Sequence, residues 1–228
     1  MEIWERGIRE PPLERALTLL AAATGSSVAE VATVDVGSRE VLLARLLESA
    51  IGGLGWAQAC CAACGEQLDV PVDVAAIARS PVHEVGEVMQ TVVDESAVSF
   101  RLPTTADLRT LRDADPAQAR RLLLTRCLQG EGIEATAVSD KVADAVDAAM
   151  EQASPCGAIE IVVACPGCGT VTPSALDVSV LLWAEVEARA VALLHDVHAL
   201  ATAYGWTEAD VLALSPQRRA AYLNLAST

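Results

Sequence analysis

The chain contains two copies of a C-x-x-C-G motif, one in each half, and this repeat constrains the fold more than any other feature. The copies read CAACG at residues 61–65 and CPGCG at residues 165–169. Laid over each other without a gap, they also match Asp73 with Asp177, beyond the motif itself. Each copy is predicted as a strand, a two-cysteine knuckle closed by glycine, a second strand, and an acidic residue that enters a helix.

The two knuckles together predict one metal site. Zinc prefers four tetrahedral thiolate or imidazole ligands, and a C-x-x-C-G turn supplies two sulfurs from one tight bend. The sequence therefore predicts one structural zinc per chain, bound by Cys61, Cys64, Cys165 and Cys168. A redox dithiol is a second interpretation, although such dithiols lie at strand-to-helix junctions and these lie in predicted hairpin bends. Unliganded buried cysteines are a third.

Three further cysteines lie outside the predicted site: Cys60, Cys127 and Cys156. Cys60 could replace Cys61 as a ligand, with a different spacing to Cys64. A total of seven cysteines is odd, which favours a reducing compartment over a disulfide framework. The first twenty residues contain scattered charges and no signal-peptide pattern, and no apolar run reaches the ~18–20 residues that span a bilayer. We therefore expect a cytoplasmic protein without a membrane span.

Composition and periodicity predict a mostly helical α+β protein. Apolar residues make up 52% of the chain but aromatic residues only 3%, so the core must consist mainly of Ala, Val and Leu. The expected fold has two helical segments joined by a zinc-ribbon-like four-cysteine site, with a small β-hairpin region. Residues 1–80 would carry the first knuckle, residues 81–155 the hairpin and further helices, and residues 156–228 the second knuckle. We expect these three segments to form one intertwined domain.

Periodic patterns place the main elements. A helix is predicted from Pro11 to the glycine at position 25, and strands flank the first knuckle at 54–60 and 66–72. Alternating residues on both sides of Asp94–Ser96 predict a hairpin. Residues 130–140 read as a loop. After Leu176, apolar residues recur at intervals of three and four, which predicts a helix of about 28 residues.

Charge argues against nucleic acid as a partner. The chain has 16 Lys and Arg residues against 31 Asp and Glu residues, a formal net charge of −15, and phosphate backbones repel such a surface. One arginine-rich region is better interpreted as a solvated face than as a binding groove; its members are Arg109, Arg112, Arg120, Arg121 and Arg126. The sequence lacks G-x-S-x-G, H-E-x-x-H and Gly-rich phosphate-loop motifs, so we predict that the protein is not an enzyme.

A second repeat links the two ends of the chain. Residues 205–225 align with residues 25–45, and the matched pairs include Val31 with Val211 and Arg39 with Arg219. Each copy predicts a helix, a turn and a helix, and chance similarity of a short motif is the alternative. Such pairs could also serve a zinc-ribbon transcription regulator, but two arginines in so acidic a chain do not make a DNA reader.

Three stretches of this sequence resemble a known family. They are CPGCG followed by LDVSVLLWAEVEARAVALLHDVHALATAYGWTEADVLALSPQRRAAYLNL, SFRLPTTADL before it, and VDVGSREVLLARL near the start. These residues resemble the T-even-type phage baseplate protein family, found with contractile phage tails and related contractile injection systems. The resemblance covers most of the chain, and the C-terminal 65 residues are its most specific part.

The resemblance implies a role in building the baseplate, the plate that joins sheath, tube and spike. A structural component that contacts other baseplate, hub or sheath proteins is the first expectation. An assembly factor or chaperone for the hub, not retained in the particle, is the alternative, because a relative in T-even phage is implicated in hub assembly. Both would work in the bacterial cytoplasm.

Overall fold

The structure is a computed structural model that describes residues 1–130 and 138–226. Most of the loop predicted at 130–140 thus lies outside the described residues. The helices within the described ranges are α1 (Glu2–Gly7), α2 (Pro12–Thr24), α3 (Val28–Val31), α4 (Val36–Ile51), α5 (Val74–Ala78), α6 (Thr105–Arg109), α7 (Pro116–Cys127), α8 (Asp140–Ala153), α9 (Val178–Tyr204), α10 (Glu208–Leu212) and α11 (Pro216–Ala226). The strands are β1 (Leu54–Cys60), β2 (Gln67–Asp73), β3 (Val88–Val93), β4 (Ser96–Arg101), β5 (Leu128–Gln129), β6 (Glu160–Ala164) and β7 (Val171–Ala175).

Helices account for 56% of the described residues and strands for 18%, which confirms the mixed, mostly helical prediction. The strands form three small antiparallel sheets, β1–β2, β3–β4–β5 and β6–β7. Both knuckle hairpins fall where the sequence predicts them, and α9 has 27 residues. None of the helices in the described ranges combines the length and the apolar character that crossing a bilayer requires.

The main core lies between helices from both ends of the chain. Leucines on the inner faces of α2 and α4 pack against the first half of α9, and the inner residues of β1 and β2 close the core from the side. Among its most buried members are Leu17, Leu20, Leu43, Leu47, Val74 and Val178. Small and branched aliphatic side chains therefore fill this core, as the composition requires. The N-terminal helices and the start of α9 form one packed unit.

The middle of the chain has a smaller core of its own. Phe100, the only phenylalanine in the sequence, is 1% exposed and packs with residues of α7 and α8. The β3–β4 hairpin turns at Asp94 and Glu95, whose φ values of 49° and 63° match the two-residue turn that suits the twist of a hairpin. The predicted hairpin is therefore confirmed.

Asp107 lies at the centre of a buried hydrogen-bond network in this middle segment. Its carboxylate accepts hydrogen bonds from the Arg101 guanidinium at 2.7 and 2.9 Å and from the amide of Thr104 at 2.9 Å, where it completes a capping box. Burial raises the pKa of Asp107, but the Arg101 and Thr104 hydrogen bonds outweigh it and lower the pKa to about 2. The ionised carboxylate is thus favoured in the folded state.

We expect Asp107→Asn to cost about 2 kcal/mol of stability at pH 7. The pKa of Asp107 in the folded protein lies below the unfolded value of about 3.9. Its contribution is therefore complete above that value and is lost as the pH falls toward 2. Urea unfolding of the wild type and of Asp107→Asn across this pH range measures the difference in their free energies of unfolding. Loss of a bound metal at low pH affects both proteins equally, so it cancels in this difference. Asp94→Asn, at an exposed site, is the control and should change stability by less than about 0.5 kcal/mol.

Candidate metal centre

The two knuckles have the same backbone geometry. The amide of Gly65 donates to the Cys61 carbonyl at 2.9 Å, and the amide of Gly169 donates to the Cys165 carbonyl at 2.8 Å. Both glycines have a left-handed conformation, with φ of 74° and 73°. A side chain would be strained at such a φ value, which explains why glycine closes each C-x-x-C turn.

The fold brings all four predicted cysteines together. The Cys61 and Cys168 sulfurs are 3.6 Å apart, as are the Cys64 and Cys165 sulfurs, so both close contacts join one knuckle to the other. All four sulfur atoms lie within 4.8 Å of one another. Four thiolates around one tetrahedral zinc, with Zn–S bonds of about 2.3 Å, would lie about 3.8 Å apart. The group therefore fits a single metal ion.

The site lies at the ends of two hairpins. The hairpin β1–β2 carries the first knuckle and β6–β7 carries the second. Cys61 and Cys165 are each 2% exposed and pack on Leu68, whereas Cys64 and Cys168 are exposed. The prediction that the site joins two helical segments is wrong: the cluster joins strands. The cause is that helices begin only after β2 and β7, at the aspartate caps of α5 and α9.

The thiol pKa values show why a cation suits this cluster. Amides of Cys64 and Ala63 donate to the Cys61 sulfur and lower its pKa to about 6. The amide of Glu66 lowers the pKa of Cys64, but the nearby sulfurs, that of Cys168 first, raise it to about 12. The side chain of Thr170 lowers the pKa of Cys168. The thiolate form is therefore favoured at Cys61 and Cys168 and disfavoured at Cys64. A divalent cation bound to the sulfurs would stabilise the thiolate form of all of them.

Sequence reasoning missed the threonines that support the second knuckle. The Thr170 side chain hydrogen-bonds the Cys168 sulfur and lowers the pKa of that thiol. The Thr172 hydroxyl accepts a hydrogen bond from the amide of Ala62 at 3.3 Å, which links the two hairpins. The run TVT after the second motif was the available signal. Residues that hydrogen-bond ligands and orient them commonly surround metal sites.

The remaining cysteines lie outside the group. Cys60 points from the exposed face of β1, and its sulfur contacts the Gly65 carbonyl at 3.5 Å. Cys127 is fully buried, and that burial raises the pKa of its thiol to about 11, consistent with the predicted core position. Cys156 is buried in a short 3-10 turn.

Comparisons with profiles of known protein families, with curated proteins and with solved structures find no match to this chain.

The register of the first knuckle can be tested with two alanine variants. We expect Cys60→Ala to leave the metal content of the protein unchanged and Cys61→Ala to lower it, because only the Cys61 sulfur belongs to the group of four. Elemental analysis of both purified variants measures this directly. The opposite pattern, with metal lost in Cys60→Ala alone, would move the ligand register by one residue.

Proposed function

We propose that this chain is a zinc-stabilised, non-enzymatic structural subunit of the baseplate of a contractile injection system. Cys61, Cys64, Cys165 and Cys168 would bind one zinc ion. The protein would contact other baseplate, hub or sheath proteins, and not nucleic acid, in the bacterial cytoplasm.

Zinc is proposed from the ligand set. Four thiolates at tetrahedral spacing are typical of structural zinc sites, whereas catalytic zinc sites keep one position for water or substrate. With all four positions taken by cysteine, the bound ion would have no place for a reacting water. Because cysteines occupy all four positions, the ion would serve to hold the hairpins β1–β2 and β6–β7 together.

The baseplate assignment rests on the family resemblance of the sequence. The longest resembling stretch, residues 165–225, corresponds to a continuous part of the structure: the second knuckle, β7, α9, α10 and α11. The main core includes residues of α9 only as far as Val186. The second half of α9 instead contacts α11, through the ion pair of Asp196 with Arg219 and the ring contact of Tyr204 with Tyr222. A preorganised surface would lower the ordering cost of assembly with other proteins.

The charges support protein partners over nucleic acid. Most of the arginine-rich region is neutralised within the chain: Arg109 and Arg112 pair with Glu14, and Arg120 pairs with Asp144 and Asp147. These contacts leave little excess positive charge to attract phosphates, on a chain whose net charge is −15.

Deleting the gene tests the proposal. We expect tubes and sheaths that fail to join a baseplate, with the protein present in purified wild-type particles. Complete, contractile particles from the deletion strain would contradict the assignment. If particles were lost on deletion but the protein were absent from purified wild-type particles, the hub assembly factor would replace the structural subunit.

A further inference from the structure

The two segments that repeat in sequence also share one backbone geometry. We call residues 25–45 the N-terminal unit and residues 205–225 the C-terminal unit. In each unit a left-handed glycine ends a helix, a capping box starts a short helix, and a polar cap starts the next helix. Val31 and Val211, at equivalent positions, are 5% and 0% exposed. The matched pairs are Gly25 with Gly205, Ser27 with Thr207, Glu30 with Asp210, and Asp35 with Ser215. The match between the two segments therefore extends from the sequence to the local backbone structure.

The turn of the N-terminal unit is covered by another part of the same chain. Residues 102–104 run past this turn outside any helix, Thr104 forms an isolated antiparallel bridge with Asp35, and residues 105 and 106 begin α6. The amide of Ala106 donates to the Ala32 carbonyl at 3.0 Å, and the amide of Val36 donates to the Pro103 carbonyl at 2.9 Å. These two hydrogen bonds hold the segment 102–106 across the turn, at the point where the segment enters α6.

A side chain completes this contact. Arg39, on α4, donates from Nη1 to the hydroxyl of Thr105 at 2.9 Å. Thr105 is 0% exposed and Arg39 is 7% exposed, so the contact is dry. The N-terminal unit therefore holds the segment through the Pro103 carbonyl, the Ala106 amide and the Thr105 hydroxyl, at a helix start.

The equivalent surface of the C-terminal unit is open. Leu212 is equivalent in position to Ala32. Ala32 is buried, whereas Leu212 is 37% exposed. Arg219 is equivalent in position to Arg39, which binds Thr105 in the N-terminal unit. Its Nε donates to Asp196 at 2.9 Å, and within residues 1–130 and 138–226 its Nη1 and Nη2 have no hydrogen-bond partner. The side chain of Arg219 is 17% exposed as a whole, and neither Nη1 nor Nη2 is among the buried unpaired atoms of the described residues, so both remain open to solvent.

We propose that the C-terminal unit docks a segment of a partner protein that enters a helix, in the way the N-terminal unit holds segment 102–106. The occupant would supply a backbone amide to the Leu212 carbonyl, as Ala106 does to Ala32, and a hydroxyl or carboxylate that accepts from Arg219. A carboxylate complements the free guanidinium donors best. Pro216 stands at the position of Val36 and has no N–H, so the occupant makes one backbone hydrogen bond fewer. The proposal does not depend on the baseplate assignment.

A peptide with the sequence SFRLPTTADLRTL, residues 99–111 of this chain, serves as the probe. We expect titration of the isotope-labelled full chain to shift amide NMR signals of residues 205–225 saturably, with a Kd of about 1 mM or tighter. Replacing the second threonine of the peptide by valine should weaken binding, because Arg219 then loses its acceptor. Absence of saturable shifts at this concentration, or shifts confined to other surfaces, would overturn the proposal.

Three variants separate docking from folding. Arg219→Ala should weaken peptide binding about tenfold or more, and Arg218→Ala, on the exposed side of α11, should leave it within about twofold. Asp196→Asn removes the ion pair but keeps the guanidinium, so binding should persist. Loss of binding in Asp196→Asn would show that Arg219 acts only structurally, which contradicts the proposal. Concentration-dependent self-association of the full chain that Arg219→Ala abolishes would assign the surface to a second copy instead.

Discussion

Cys165→Ser is expected to abolish zinc binding and most of the folding stability of the protein. Cys165 is a buried member of the four-sulfur group and contacts the sulfur of Cys64 in the other knuckle. Structural zinc in finger peptides contributes roughly 10–16 kcal/mol of apparent binding free energy near neutral pH, and here that energy would be coupled to joining two distant segments. Since a typical domain is stable by only about 5–15 kcal/mol, the variant should be largely unfolded or aggregated.

Circular dichroism and urea unfolding of Cys165→Ser measure this effect. Cys156→Ser is the matched control, because Cys156 is also buried but lies outside the group of four. The control should keep its metal and lose about 1–3 kcal/mol, the cost of a hydroxyl in an apolar site. A Cys165→Ser protein that unfolds within about 1 kcal/mol of the wild type would show that the cysteine group does not stabilise the fold.

Arg39→Ala is expected to destabilise the protein by about 3–5 kcal/mol, because it leaves a buried carboxylate without its partner. Arg39 donates to Oε1 of Glu40 at 3.0 and 2.7 Å, and Oε2 of Glu40 accepts from the amide of Val178 at 3.0 Å. The pair thereby connects α4 to the start of α9. Burial raises the pKa of Glu40, and Arg39 opposes that rise.

The pH dependence identifies the mechanism. A carboxyl whose pKa is higher in the folded protein than in the unfolded chain stabilises the fold below its unfolded pKa, and this contribution is lost as the pH rises through the folded value. Without Arg39 the pKa of Glu40 rises further, so the deficit of Arg39→Ala should grow as the pH rises through and above the folded-state pKa of Glu40, which lies above the ordinary value. Adding Glu40→Gln to the variant should recover part of the loss. Arg109→Ala breaks a half-exposed ion pair with Glu14 and should cost less than about 1 kcal/mol.

Short-range sequence signals account for most of the elements. Gly25 and Gly205 end helices, Thr104 caps α6, and alternation around Asp94 and Glu95 gives a hairpin. Each of these features depends on residues within a few positions of one another, so the residues themselves carry the information. The four-cysteine group was also predictable, because the ligand spacing repeats and one metal ion needs four donors.

Long-range packing was not predictable from these signals. Arg39 and Glu40 are adjacent charged residues in a helix, a type that is usually exposed, yet both are buried because α6 and α9 close over them. The placement of the cysteine group between two hairpins also depends on how β1–β2 and β6–β7 pack together. Tertiary contacts of this kind override local patterns.

Metal analysis of the purified full chain, combined with alkylation of its native thiols, tests the zinc site most directly. The expected result is one zinc per chain, with Cys61, Cys64, Cys165 and Cys168 protected until a chelator is added. Exposed Cys60 should react in the native state and serves as the internal control. Less than about half an equivalent of zinc, together with free alkylation of Cys64 and Cys168 before chelation, would contradict the assignment of a zinc-stabilised subunit.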